Sequence, residues 1–296
     1  MKLLILLAGL AGALAFSVDD VDFENLVPLY ETVEWQKLHP GQAEKFANEK
    51  PVHYRNGRIW GGSEVPQGQL PYVVGILVLL SRQSFCGGTI VSNNFVLTAA
   101  QCFPGDPNAV VEIGNVDRNL VQEFINAAEK ILHPFYDPLI NDNDIALVRL
   151  VRPVTFTATV RAVRLPNRRQ VDSLFENREA RISGWGTTGE GDAAPIRLLR
   201  SAVGRVISQA ACRIRYPNSA SDRTLCIDGT NVNICNGDFG GPMTIQDADD
   251  ITTQIGVSSF FFTTGCTRGF PGGFTRTSRF LEWIGQNSDV IIRDDF

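Results

Sequence analysis

Beyond Arg58 the chain breaks into short apolar runs rich in branched residues, and no other feature restricts its fold as much. Tyr72–Leu80, Gly88–Leu97, Val110–Ile113, Ile145–Leu150 and Ile255–Phe262 are set apart by clusters of Gly, Pro, Asn and Asp. β-Branched side chains fit a pleated, half-buried surface, and such punctuation ends strands, so the pattern predicts an all-β sandwich or barrel. The run Val73–Leu80 is read as a pair of core strand segments. It is far shorter than the roughly 20 apolar residues of a membrane span. A helical pattern from about Ser278 through Phe280, Leu281, Trp283 and Ile284 closes the chain.

The amino end reads differently. Lys2, the apolar run Leu3–Leu14 and the small residues around Ala15 form a secretory signal, cut after Ala15. Export implies an oxidising compartment, where the even count of six cysteines favours three disulfides. Spacing alone does not choose their pairing. Residues 16–58 read as a separate acidic leader, opened by Asp19, Asp20, Asp22 and Glu24. Val27–Leu38 could form a short helix, whereas Gln42–Arg55 is polar and offers little to a core. Asn56-Gly57-Arg58 reads as an exposed turn of the kind that proteases nick. The formal net charge of −5 argues against nucleic acid as a partner. Arginine greatly outnumbers lysine after Arg58, as at Arg161, Arg164, Arg168 and Arg169, which is read as a solvated surface rather than a basic patch.

Four signatures then occur in order: Arg58-Ile59-Trp60-Gly61-Gly62; Cys86-Gly87-Gly88-Thr89-Ile90 with Leu97-Thr98-Ala99-Ala100-Gln101-Cys102; Asp142-Asn143-Asp144-Ile145-Ala146-Leu147; and Cys235-Asn236-Gly237-Asp238-Phe239-Gly240-Gly241-Pro242. Together with Ser183-Gly184-Trp185-Gly186 they resemble the trypsin/chymotrypsin serine proteases, over residues 59 to about 288. The resemblance implies two antiparallel six-stranded β-barrels with a C-terminal helix, filling 59–296 with a boundary near 165. It also implies the pairs Cys86–Cys102, Cys212–Cys226 and Cys235–Cys266. All six cysteines are then used, so the leader should leave once cut.

In this family a serine oxygen attacks the scissile carbonyl, an imidazole carries the proton, and a buried carboxylate orients the imidazole. The matching positions here are Phe239, Gln101 and Asp144. A phenyl ring has no nucleophilic atom, and an amide neither takes up nor releases a proton near neutral pH. Asp144 alone survives. Of the three histidines, His39 and His53 lie in the leader, and His133 is read as a solvated loop residue. The backbone oxyanion donors would be Gly237 and Phe239. Asn233 falls at the base of the specificity pocket, beside Ser259, and Phe261 replaces a glycine along which substrate backbone normally lies. Two rings at Phe239 and Phe261 are expected to block the cleft; the alternative is that they swing into solvent or core and leave a shallow apolar groove.

The activation device looks intact: a cut after Arg58 would free the Ile59 ammonium to pair with Asp238. That cut would need a trypsin-like protease. No metal site and no cofactor are expected, since Asn115 stands where some relatives bring calcium ligands. The resemblance therefore implies a secreted, non-catalytic homologue, of the kind found in arthropods. It would bind extracellular proteins as a cofactor, regulator or decoy in a proteolytic cascade. Two rival readings stay open: an active endopeptidase with an unorthodox site, and a secreted structural or storage protein. The sequence sets no oligomeric state and places no segment in a membrane.

Overall fold

The computed structural model describes residues 25–42, 59–187, 189, 196–262 and 265–294. The expected signal segment 1–15, Arg58 and His53 lie outside these residues. After a two-residue strand β1 (Ser63–Glu64), the first barrel is built from β2 (Val73–Leu79), β3 (Gln83–Ile90), β4 (Phe95–Thr98), β5 (Asn108–Ile113), β6 (Glu123–Leu132) and β7 (Ala146–Leu150). It closes in the antiparallel order β2-β3-β4-β7-β6-β5. Val74, Ile76, Val96, Leu97, Val111 and Leu147 are wholly buried within it. Gly75 faces Gly87 across the β2–β3 ladder. A Cβ at Gly75 would stand 2.8 Å from the Phe85 ring, so glycine is what lets that ring lie against the strand.

The second barrel comprises β8 (Glu179–Gly184), β9 (Arg200–Arg205), β10 (Thr224–Ile227), β11 (Pro242–Gln246), β12 (Thr252–Phe260) and β13 (Gly272–Arg276). These run in the order β9-β8-β11-β12-β13-β10, with β1 added beside β9. A Val206–Ile227 bridge joins the two ends of that row. The Asp228 N–H donates to the Arg205 carbonyl at 2.8 Å and the Ile207 N–H to that of Cys226 at 2.9 Å. The chain crosses between barrels near residue 164: Val163 N–H donates to Ile90, and Gln254 N–H to Arg164. Beyond the short helices α1 (Val33–Leu38) and α2 (Gln209–Arg215), a 3-10 turn at Thr277–Phe280 runs into the C-terminal helix α3 (Leu281–Asn287). The bonds Cys86–Cys102, Cys212–Cys226 and Cys235–Cys266 are those the motifs imply. Closing loops of 14 to 31 residues, each stabilises by about 3 kcal/mol.

Some expectations need correction. Val73–Leu80 is one strand, not a pair of segments, because burial on both faces erases its alternation. Gly88–Leu97 is two strands, parted by a turn in which Ser92 Oγ accepts from the N–H groups of Asn94 and Phe95. His133 is half-buried rather than solvated, edge-on to Phe280 and Trp283 at 5.2 Å each, and burial pulls its pKa down. The solvated arginine surface holds at Arg161, Arg168 and Arg169, which are exposed, whereas Arg164 is drawn into pairs with Asp247 and Asp249. Finally, residues 25–42 of the leader are no separate body. The helix expected there forms, and Leu26, Leu29 and Trp35 are buried in the main core.

Candidate active-site constellation

The site lies where β3, the turn after β4, the Asp144 loop and β12 converge. Asp144 is wholly enclosed. Its oxygens accept from the Gln101 backbone N–H at 2.9 Å, from Gln101 Nε2 at 2.5 Å, and from Ser259 Oγ at 2.5 Å. Gln101 Nε2 also donates to the Ser259 carbonyl at 2.6 Å, so both of its hydrogens are used. Ser259 reaches this position through a bulge: β12 pairs Ser258 with Phe274 and Phe260 with Gly273, leaving Ser259 unpaired on the ladder. Burial raises the Asp144 pKa to about 6, and the Ser259 and Gln101 donors restrain the rise. The donors to this carboxylate are thus an amide, a hydroxyl and a backbone N–H.

Gln101→Ala would remove two hydrogen bonds and leave Asp144 under-partnered. The expected cost is about 2–3 kcal/mol at pH 7. It should shrink below about pH 5, where Asp144 is neutral, and thermal melts at pH 4.5 and 7 check this.

The Phe239 and Phe261 rings stack nearly parallel, with centroids 5.8 Å apart and planes 11° from each other. Only 5% and 8% of these residues is exposed, so neither ring swings into solvent, and both pack within the main hydrophobic core. Phe239 sits in the turn Cys235–Gly241, whose Gly237 takes φ +92°, and its carbonyl accepts from Gly87 N–H at 2.7 Å. That turn carries the backbone amides of Gly237 and Phe239, the expected oxyanion pair. Asn233 is buried, and its amide donates to the carbonyls of Cys266 at 3.2 Å and Phe270 at 2.9 Å. Its oxygen accepts from Ile234 N–H at 2.9 Å. Pinned at both ends, Asn233 serves the loop and presents no charge. A cavity of about 270 Å³ lies alongside, bounded by Leu139–Asn141, Tyr216 and Phe260–Phe262.

Asp238 is also enclosed, wedged against Gly184 and Gly186, where a Cβ would overlap its carboxylate. Among the described residues it accepts only from Gly186 N–H at 2.8 Å and Cys235 N–H at 2.9 Å, and burial lifts its pKa to about 7. Ile59 is buried too, at a positive φ of 23°, and its neighbour Trp60 bridges Asn233. At the position considered for calcium, Asn115 Nδ2 donates to the Leu120 carbonyl at 2.6 Å and its Oδ1 accepts from Asp117 N–H at 3.0 Å. One buried pair escaped sequence reasoning: Glu112 and Arg118 form a two-pronged salt bridge, with the guanidinium 4.1 Å from the Phe85 centroid. The Glu-x₅-Arg spacing was its only signal.

The Trypsin family model matches residues 59–284. A collagenase of Hypoderma lineatum is 32% identical over 241 residues, spanning 80% of this chain and 90% of the relative. A chymotrypsin of Phaedon cochleariae is 29% identical over 299 residues, covering 98% of this chain and 99% of that protein. Among solved structures, a collagenase superposes with a TM-score of 0.72 at 31% identity, covering 81% of this chain and all of the other. Fold, disulfides and family match agree, and the chain belongs to the trypsin family of serine-protease-fold proteins.

Proposed function

We propose that this chain is a secreted, non-catalytic member of the family that binds extracellular protein partners, gated by cleavage between Arg58 and Ile59. The observation that carries the reading is the donation from Gln101 Nε2 to Asp144, at the position that needs a proton carrier. The Phe239 ring stands where the nucleophile is required and is stacked on Phe261. Loss of serine or histidine alone lowers kcat by about 10⁶ in such a triad. No histidine of the domain compensates, since His133 packs on Phe280 and Trp283. Retention of a buried, cation-seeking Asp238 supports a regulated shape, in which the domain would act as a cofactor, regulator or decoy. The relatives' names describe proteases, so the family offers a proteolytic setting for such a partner.

The test pairs two measurements on protein processed to a free Ile59. Labelling by a serine-directed phosphonate, read by intact mass, is expected to equal that of a heat-denatured control. Hydrolysis of peptide and ester substrates is expected to stay at the buffer rate. Labelling above the control would overturn the non-catalytic reading. Capture of a defined partner by the cut protein and not the uncut one distinguishes a regulator from a structural or storage protein.

A further inference from the structure

The leader carries far more packing than its polar composition predicts. Leu26, Val27, Leu29, Thr32, Trp35 and His39 are all at most 5% exposed, although they precede the cut site. Val27 extends alongside β3: its N–H donates to the Gln83 carbonyl at 2.9 Å, and its carbonyl accepts from Ser84 Oγ at 2.9 Å. Thr32 then caps α1, accepting from Trp35 N–H. Trp35 stacks on His39 with centroids 4.1 Å apart. The His39 ring bonds at one nitrogen to the Trp35 carbonyl at 2.9 Å and at the other to the Tyr136 hydroxyl at 3.0 Å.

Surface contacts frame this apolar seat. Glu34 accepts from Ser81 N–H and Oγ at 3.1 and 2.9 Å, and Glu31 pairs with Arg82 at 3.3 Å. At its far end Gln42 lines the cavity shared with Leu139 and Phe260–Phe262. The segment therefore touches the β2–β3 hairpin at one end and the rim of the degenerate site at the other. No cysteine lies in it, so after a cut it would be held by noncovalent contacts.

We propose that residues 25–42 stay seated on the first barrel after cleavage at Arg58, making the processed protein a noncovalent two-chain molecule whose partner-facing rim includes the leader. The inference rests on the proposed cut but not on the loss of catalysis. A buried tryptophan flanked by leucines, ringed by polar contacts that exclude water, is the arrangement that anchors stable interfaces. This departs from the expectation that the leader leaves for want of a disulfide: packing would supply the tether.

The experiment uses the full chain, with residues 54–58 replaced by the recognition sequence of a site-specific protease that leaves Ile59 as the new terminus. N-terminal sequencing verifies the cut, which separates failure to cleave from failure to retain. Size exclusion in native buffer, followed by mass spectrometry of the domain peak, is expected to find leader and domain in equal amounts, parting only in denaturant. Trp35→Ala should release the leader at least about tenfold more readily. Glu34→Lys, at the surface and so compatible with folding, should weaken retention a few-fold. A wild-type leader that elutes apart from a cooperatively melting domain would overturn the proposal. So would a folded Trp35→Ala variant that retains its leader as well as wild type. If Trp35→Ala fails to fold, Glu34→Lys decides: unchanged retention there counts against the seat.

Discussion

Cutting after Arg58 is expected to raise the melting temperature at pH 7 and to flatten its dependence on pH, and Asp238→Asn should abolish the flattening and remove most of the rise. In the uncut chain Asp238 is enclosed, with two backbone N–H donors and no cation among the described residues, and its pKa stands near 7 against an ordinary 3.8. A folded pKa raised above the unfolded one means that the folded state holds the proton more tightly. The stabilisation is complete below about pH 4 and is lost as pH climbs through about 7. Roughly three pKa units correspond to on the order of 4 kcal/mol. A buried Ile59 ammonium would give the ionised carboxylate a partner and recover part of that loss. The cut would also release the positive φ at Ile59, a strain of about 1–3 kcal/mol for such a residue.

The expected rise at pH 7 is about 5 °C or more for a domain of this size. Asp144 contributes a separate loss between about pH 4 and 6, which cutting should leave untouched because Gln101 and Ser259 already partner it. Melting curves from pH 4 to 8, cut and uncut, for wild type and Asp238→Asn, resolve the two windows. Superimposable curves for cut and uncut wild type would show that Asp238 is an inherited relic and would remove the physical basis for cleavage-gated binding. Because the 231–240 loop is already built in the continuous chain, the gain should be chiefly electrostatic rather than an ordering of that loop.

The residues explain why some of this was legible in advance and some was not. β2, β5, β7 and β12 announce themselves because they are largely buried and therefore apolar in sequence. β6 hides, since a strand whose residues are mostly half-exposed, such as Glu123–Leu132, breaks up any apolar run. The positions Gln101, Asp144 and Phe239 stand out through their flanking motifs, but what they do for one another depends on the third dimension. That Gln101 Nε2 serves Asp144 and Ser259 together follows from the bulge at Ser259, which no local pattern marks. The leader was misjudged because burial belongs to the pair of surfaces. Leu26, Leu29 and Trp35 look like the weak face of a short helix until the flank of β3 is set beneath them. Glu112–Arg118 was hidden for the same reason, a charge pair made tolerable by enclosure and two-pronged geometry.

Placing histidine at position 101 and serine at position 239 should not by itself give an efficient protease. In the double variant Gln101→His/Phe239→Ser, an imidazole would stand beside Asp144 and a hydroxyl would replace the ring. Two obstacles remain. Phe261, which the resemblance puts on the path of the substrate backbone, keeps its ring, and Asn233 stays pinned to Cys266 and Phe270 without a charge to offer. Removing a buried ring also leaves a void: Phe239→Ser is expected to destabilise by about 3 kcal/mol or more, and Phe261 loses its stacking partner. The expected kcat/KM on peptide substrates is at least about 10³ below that of an active relative, some 4 kcal/mol in barrier. A phosphonate titration of the folded fraction separates a poor site from a poor fold. Adding Phe261→Gly to the double variant should then raise kcat/KM by more than about tenfold, because it clears the path for substrate backbone. Recovery by the double variant to within about tenfold of an active relative, or no response to Phe261→Gly, would show that the stacked rings do not obstruct the cleft. Loss of the proton carrier and nucleophile would then be the whole of the defect.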